Sequence, residues 1–183
     1  DVVEAATAPH RELGATLAST PREVAAASEV IFTSLPGPDE VSEVALGADG
    51  LIEGIRPGAI YVDLSTGSPT AIRAVAERIE AAGAHLVDAP VSGGTIGADK
   101  GTLAVMVGGE PAIVERVRPL LDVLGASVVH VGDVGSGTVA KLVHNAISMT
   151  TRIVIQEGMA LAVKAGVDPS VMLDVLRDAS FGK

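Results

Sequence analysis

Apolar and polar residues follow two rhythms along this chain. Short apolar runs at residues 30–35, 59–64, 85–91, 103–107 and 127–131 have the length and β-branched content of buried strands. The segments between them repeat apolar positions at helical spacing and carry helix-start signals. Thr20 is placed to cap a helix opening at Pro21, with Glu23 at its third position, and Ser68 to cap one opening at Pro69 and stopping at Gly83. Residues 110–124 form a further helical stretch. Strands alternating with helices predict an α/β protein with a largely parallel sheet. From residue 135 to about 165 the alternation gives way to one long helix without proline, apolar around most of its circumference, and such a helix is expected to be buried. Gly166 ends it, and Asp168-Pro169 opens another. This change of rhythm divides the chain into residues 1–134 and residues 135–183.

Composition narrows the function classes. With 183 residues, 48% of them hydrophobic, the chain can bury a substantial core. A formal net charge of -10, with no cluster of Lys or Arg, leaves nothing to neutralise a nucleic-acid backbone or an anionic membrane surface. The absence of cysteine removes disulfides and thiolate chemistry. His10, His85, His130 and His144 are too scattered to suggest a metal cluster, so no metal is expected. No basic start followed by an apolar core opens the chain, and no apolar span reaches the roughly 20 residues of a membrane helix. The expectation is a soluble, cytoplasmic protein. Residues 1–30 also hold no strand running into a Gly-rich turn and helix, the arrangement that lets backbone N–H groups approach a pyrophosphate.

Two segments carry candidate chemistry. Asp88-Ala89-Pro90-Val91-Ser92-Gly93-Gly94 ends a strand and turns sharply, where ligands of open α/β sheets sit. Ser92, Gly93 and Gly94 would present consecutive backbone N–H groups and a hydroxyl, a concavity suited to a carboxylate; an ordinary glycine turn has the same sequence. Gly97 and Gly101 are expected to lengthen this loop. On the long helix, Lys141, His144, Asn145 and Ser148 fall at i, i+3, i+4 and i+7 and share one face. A polar stripe on a buried helix must face a ligand, a wet cleft or a hydrogen-bonding neighbour, because buried polar groups without partners cost free energy. A buried lysine can transfer protons once burial lowers its pKa, although either Lys141 or His144 alone is compatible with a structural role. A weaker signal lies at Thr33-Ser34-Leu35-Pro36 and Asp63-Leu64-Ser65-Thr66, two strand ends where a cofactor could cross the sheet.

In this order the segments resemble the β-hydroxyacid dehydrogenase superfamily, which includes 3-hydroxyisobutyrate, tartronate semialdehyde and 6-phosphogluconate dehydrogenases. The match covers nearly the whole chain. Its most specific part runs from Asp88 through Gly94, Gly97-Ala98, Gly101-Thr102-Leu103 and Met106-Val107-Gly108-Gly109, similar to the family's substrate-binding signature. Gly135-Ser136-Gly137 with Lys141 and Asn145 resembles the stretch holding the catalytic lysine and its asparagine partner. The resemblance implies a partial Rossmann-type NAD(P)-binding domain, a long interdomain helix and the start of an all-α domain, with the N-terminal Gly-rich loop and most of the helical domain not included. It implies Lys141 as general acid/base, Asn145 orienting substrate, Ser92, Gly93 and Gly94 holding a substrate carboxylate, and Leu35, Pro36 and Thr66 contacting NAD or NADP. It implies a homo-oligomer formed through the helical domain.

His144 stands where many members have a second asparagine, as in 6-phosphogluconate dehydrogenases, but those carry an acidic residue where Ser148 stands here. Imine reductases share the fold but usually replace the lysine. The expected reaction is interconversion of a small 3-hydroxy acid and its semialdehyde by hydride transfer. The alternative is a dehydrogenase-derived binding or assembly module without turnover, favoured by the missing Gly-rich loop and opposed by the retained Lys141, Asn145 and Ser-Gly-Gly turn.

Overall fold

The structure, a computed structural model, describes residue 1 and residues 3–179. Two helices, α1 (Glu4–Glu12) and α2 (Pro21–Ala27), precede β1 (Val30–Thr33). Then come α3 (Pro38–Leu46), a short 3-10 turn (Leu51–Glu53), β2 (Ile60–Asp63), α4 (Pro69–Ala81) and β3 (His85–Asp88). β4 (Val91–Ser92), α5 (Gly94–Asp99), β5 (Ala104–Gly108), α6 (Pro111–Leu124) and β6 (Ser127–Gly132) follow, and α7 (Ser136–Lys164) and α8 (Pro169–Asp178) complete the order.

The described chain divides into two compact units, residues 1–141 and residues 142–183. The first holds a mixed sheet in the order β1-β2-β3-β5-β4, with β6 on β5. β1, β2 and β3 are parallel, with Val30, Ile60 and His85 in register, while β5 runs antiparallel to β3 and β4 and parallel to β6. Period-two alternation sorts the apolar side chains to opposite faces. Ile31, Tyr61 and Leu86 pack with Val41, Ile72, Val75 and Ile79 of α3 and α4. Ile60, Val62 and Val87 pack with Ile113, Val114, Val117 and Leu121 of α6. Helices on both faces explain why all of β2 is buried.

The expected helix starts are present with their caps. Thr20 Oγ1 accepts from the Glu23 N–H at 3.2 Å, and the Glu23 carboxylate accepts from the Ser19 N–H at 2.6 Å. Ser68 and Asp168 cap α4 and α8. All the expected strands form, but the one expected over 85–91 divides at Ala89-Pro90, where proline supplies no N–H. The loop expected around Gly97 is instead the helix α5, and α1 and α3 were not anticipated.

The long helix departs from expectation in its burial. Only Gly137, Thr138 and Lys141 of α7 are buried, and no described residue after Lys141 is. A helix apolar around its circumference needs neighbours on every side, and among the described residues the second unit supplies only α8 beside the rest of α7. The polar stripe is therefore not buried as a whole: Lys141 is, Asn145 and Ser148 are half-buried, and His144 is exposed. No helix among the described residues is long and apolar enough to cross a membrane.

Candidate active site

The first unit contains an open cavity of about 480 Å³ at the end of β4, lined by Ser92, Gly93, Gly94, Thr66 and Lys141. Local backbone conformation builds its floor. Gly93 has φ +136° and Gly94 φ +63°, left-handed geometry that side-chain-bearing residues rarely adopt, so the chain can reverse directly from β4 into α5. Gly97 lies against Leu103, 3.1 Å from where a Cβ would stand to Leu103 Cδ2, which holds α5 close to the strand that follows it.

Lys141 reaches this cavity from the buried first part of α7 and is 8% exposed. It is the only ionisable side chain among the lining residues. Its ammonium has no hydrogen-bond or carboxylate partner among the described residues, and burial pulls its pKa below the usual lysine value. A lysine in that state exchanges protons at lower pH than a solvated one, and once neutral its lone pair is free to accept a proton.

At the end of β3 the Asp88 carboxylate is buried and accepts hydrogen bonds from Gly135 and Thr138 at the opening of α7. Burial raises its pKa, opposed by these hydrogen bonds.

A second polar cluster ties the ends of β1 and β2. Asp63 Oδ1 accepts from Thr33 Oγ1 at 2.8 Å and from Ser65 Oγ at 2.6 Å, while Ser65 Oγ accepts from the Leu35 N–H at 2.8 Å. Tyr61 OH lies 2.9 Å from Thr33 Oγ1, and burial, helped by the Asp63 charge, raises its pKa strongly. Leu35 and Pro36 line a separate cavity beside β1 with Thr33 and Ser34. The cluster fixes the exit direction of both strands, leaving Pro36 exposed and Thr66 half-buried.

Of the residues singled out from sequence, then, Ser92, Gly93, Gly94, Thr66 and Lys141 share one cavity, and Leu35 and Pro36 line another. Asn145 is a turn beyond Lys141 along α7, with its Oδ1 3.4 Å from His144 Nδ1. Val91, Thr95, Ala98 and Leu103 also line the Lys141 cavity and had not been proposed from sequence; Leu103 and Ala98 lie in the glycine-spaced signature, which was the available signal.

Residues 1–132 match the family model described as the NAD binding domain of 6-phosphogluconate dehydrogenase, and residues 135–183 match NAD-binding of NADP-dependent 3-hydroxyisobutyrate dehydrogenase. The chain belongs to the β-hydroxyacid dehydrogenase superfamily. Within this superfamily it is 38% identical, over 98% of its length, to 2-(hydroxymethyl)glutarate dehydrogenase of Eubacterium barkeri, of which it spans 60%. A crystal structure of a putative oxidoreductase from Mycobacterium avium 104 superposes with TM-score 0.87 at 36% identity, covering 97% of this chain and 63% of that one. Mycobacterium tuberculosis 3-hydroxyisobutyrate dehydrogenase with L-serine superposes with TM-score 0.84 at 34% identity, covering 90% of this chain and 55% of that one. The chain thus spans about three fifths of the length of such relatives. Both matching family models are NAD-binding, and NAD or NADP is the cofactor class they define.

Proposed function

We propose that the protein carrying this chain is an NAD(P)-dependent dehydrogenase that interconverts a small 3-hydroxy acid, of the 3-hydroxyisobutyrate or 2-hydroxy-3-oxopropionate type, with its semialdehyde. The supporting observation is Lys141: buried, unpartnered, lowered in pKa, and alone among ionisable groups in a cavity floored by the Ser92-Gly93-Gly94 turn.

In this reading residues 1–134 bind the dinucleotide and residues 135–183 begin the helical domain. The residues present suit a dinucleotide lying across the strand ends: the Asp63-Ser65 cluster engages the Leu35 N–H and fixes the exits of β1 and β2, leaving Leu35, Pro36 and Thr66 available as contacts. When bound, NAD(P) supplies the hydride acceptor or donor. Neutral Lys141 Nζ takes the hydroxyl proton as the carbinol carbon loses hydride, and in the reverse direction its ammonium returns that proton to the carbonyl oxygen. The backbone N–H groups of Gly93 and Gly94 and the Ser92 hydroxyl hold the substrate carboxylate, which fixes the reacting carbon, an orientation contribution. Asn145 orients the substrate. The uncovered apolar faces of α7 and α8 are where the helical domain would be completed and a homo-oligomer formed.

The test is binding of NADH and NADPH, measured separately by fluorescence or calorimetry, followed by turnover on 3-hydroxyisobutyrate, 2-hydroxy-3-oxopropionate, 2-(hydroxymethyl)glutarate and L-serine. The intact protein should bind one dinucleotide and turn over at least one of these acids. If the intact protein binds neither dinucleotide, a non-catalytic module is the better account.

A further inference from the structure

Asp88 ends β3 and is 1% exposed, yet its carboxylate is fully engaged. Oδ1 accepts from the Gly135 N–H at 2.7 Å, and Oδ2 accepts from the Thr138 N–H at 2.7 Å and the Thr138 hydroxyl at 2.8 Å. Both backbone donors lie at the opening of α7, where N–H groups have no partner inside the helix. A strand-end carboxylate thus caps a helix that begins nearly fifty residues later in the chain, and it occupies the helix terminus that an anionic ligand would otherwise find attractive.

The approach depends on two glycines. A Cβ on Gly137 would stand 2.4 Å from Met106 O and 2.6 Å from Asp88 O, and one on Gly108 would stand 2.3 Å from Asp88 Oδ1 and 2.8 Å from Gly137 N. The first turn of α7 therefore rests on the backbone of β3 and β5 with no side chain between. Among the described residues, no other side-chain hydrogen bond joins the segment from β3 to α5 to this helix.

What Asp88 joins are the two walls of the cavity. Along the chain, β3 continues through Pro90 into Ser92, Gly93 and Gly94. Along α7, Lys141 follows Thr138 by three positions and so projects from the same side of the helix. We propose that Asp88 is a positioning residue for Lys141, setting the height of its ammonium over the Ser92-Gly93-Gly94 turn. The proposal rests on the reading of Lys141 as acid/base. An asparagine at position 88 has one acceptor oxygen where three donors converge, and its amide N–H groups would face a backbone N–H, so the bidentate grip is lost without a change in volume.

The experiment is a double-mutant cycle in the intact protein, on whichever hydroxy acid of the panel above is oxidised fastest, with dinucleotide affinity measured alongside. Displacing a catalytic group by an ångström costs about a hundredfold in rate, so Asp88→Asn should lower kcat by about that factor while dinucleotide Kd stays within about threefold. In a Lys141→Ala background the same substitution should cost nothing further, because a positioning residue has no effect once the group it positions is gone. Thr138→Val, which removes the hydroxyl donor and keeps the backbone one, should lose about tenfold, and Thr138→Ser should restore wild-type turnover. These two variants decide the matter if Asp88→Asn does not fold. Equal losses from Asp88→Asn with and without Lys141, or full activity in Thr138→Val, would show Asp88 to be structural only. Near-normal turnover in Lys141→Ala itself would instead overturn the acid/base reading, and the positioning role with it.

Discussion

The two units treat the same residue types in opposite ways. In residues 1–141, Ile60, Val62, Val114 and Leu121 are at most 1% exposed. In residues 142–183, Ile147, Ile153 and Leu161 are between 59% and 70% exposed. Composition does not separate them; the number of neighbouring elements does. The central strands β2 and β3 meet helices on both faces, whereas among the described residues the later part of α7 has only α8 in its own unit. Full burial of such a side chain contributes about 1.5–3 kcal/mol, which the first unit gains and the second, by itself, does not. The cavity divides the same way: all of its lining residues, Lys141 included, belong to the first unit.

The largest expected effect tests whether the chemistry resides in the first unit. Lys141→Ala in the intact protein should lower kcat by about 10²–10⁴-fold with little change in dinucleotide affinity. Its pH dependence carries a sign. Burial lowers the lysine pKa, so the neutral form appears at lower pH, and kcat/KM for alcohol oxidation should rise with pH with its midpoint below the usual lysine value of about 10.4. Lys141→Arg, which stays charged, should remove that limb; a limb that persists would place the base elsewhere.

Next in size is a direct comparison of the two units by chemical denaturation. Leu121→Ala in α6 should cost about 2–5 kcal/mol, and Leu161→Ala in α7 about 0.5 kcal/mol or less in this chain alone. Repeating Leu161→Ala in the intact protein sharpens the contrast. A cost rising to the core value would show that other parts of the assembly cover α7; an unchanged cost would leave that face solvated.

The smallest is confined to the glycine turn. At Gly94 there is open space for a Cβ, so a side chain meets no clash, but φ of +63° disfavours any β-branched residue. Gly94→Val should raise KM for the hydroxy acid by about tenfold, roughly 1.4 kcal/mol, through backbone strain and a blocked approach to the N–H groups. Unchanged KM and kcat would remove this turn from the site.

Much of the first unit was legible because its signals are local. Apolar runs located the strands, and Thr20 and Ser68 with their following prolines located helix starts, as Asp168-Pro169 did in the second unit. α3 was missed because its cap is Gly37, whose side chain offers no oxygen. α5 was missed because Gly94 and Gly97 read as loop, although Gly97 is needed for contact with Leu103. Ser92, Gly93, Gly94 and Lys141 could be named as candidates, but not their common cavity with Thr66, which comes from a different strand end. Asp88 was visible within a motif and had no assigned role, since its partners lie 47 and 50 residues away. Burial of α7 was misjudged because periodicity reports which faces are apolar, not whether anything covers them.

Five of the helices, α2, α3, α4, α6 and α8, open with proline in their first turn. The consequence lies in the denatured chain. Each ring fixes φ near its helical value and costs no hydrogen bond, because the first-turn N–H has no partner within the helix. The chain therefore surrenders less disorder at these points when it folds, by about 0.4–1 kcal/mol per site. This share of the stability at those junctions, unlike the capping hydrogen bonds of Thr20, Ser68 and Asp168, comes from restricting the denatured ensemble, and no contact in the folded protein records it.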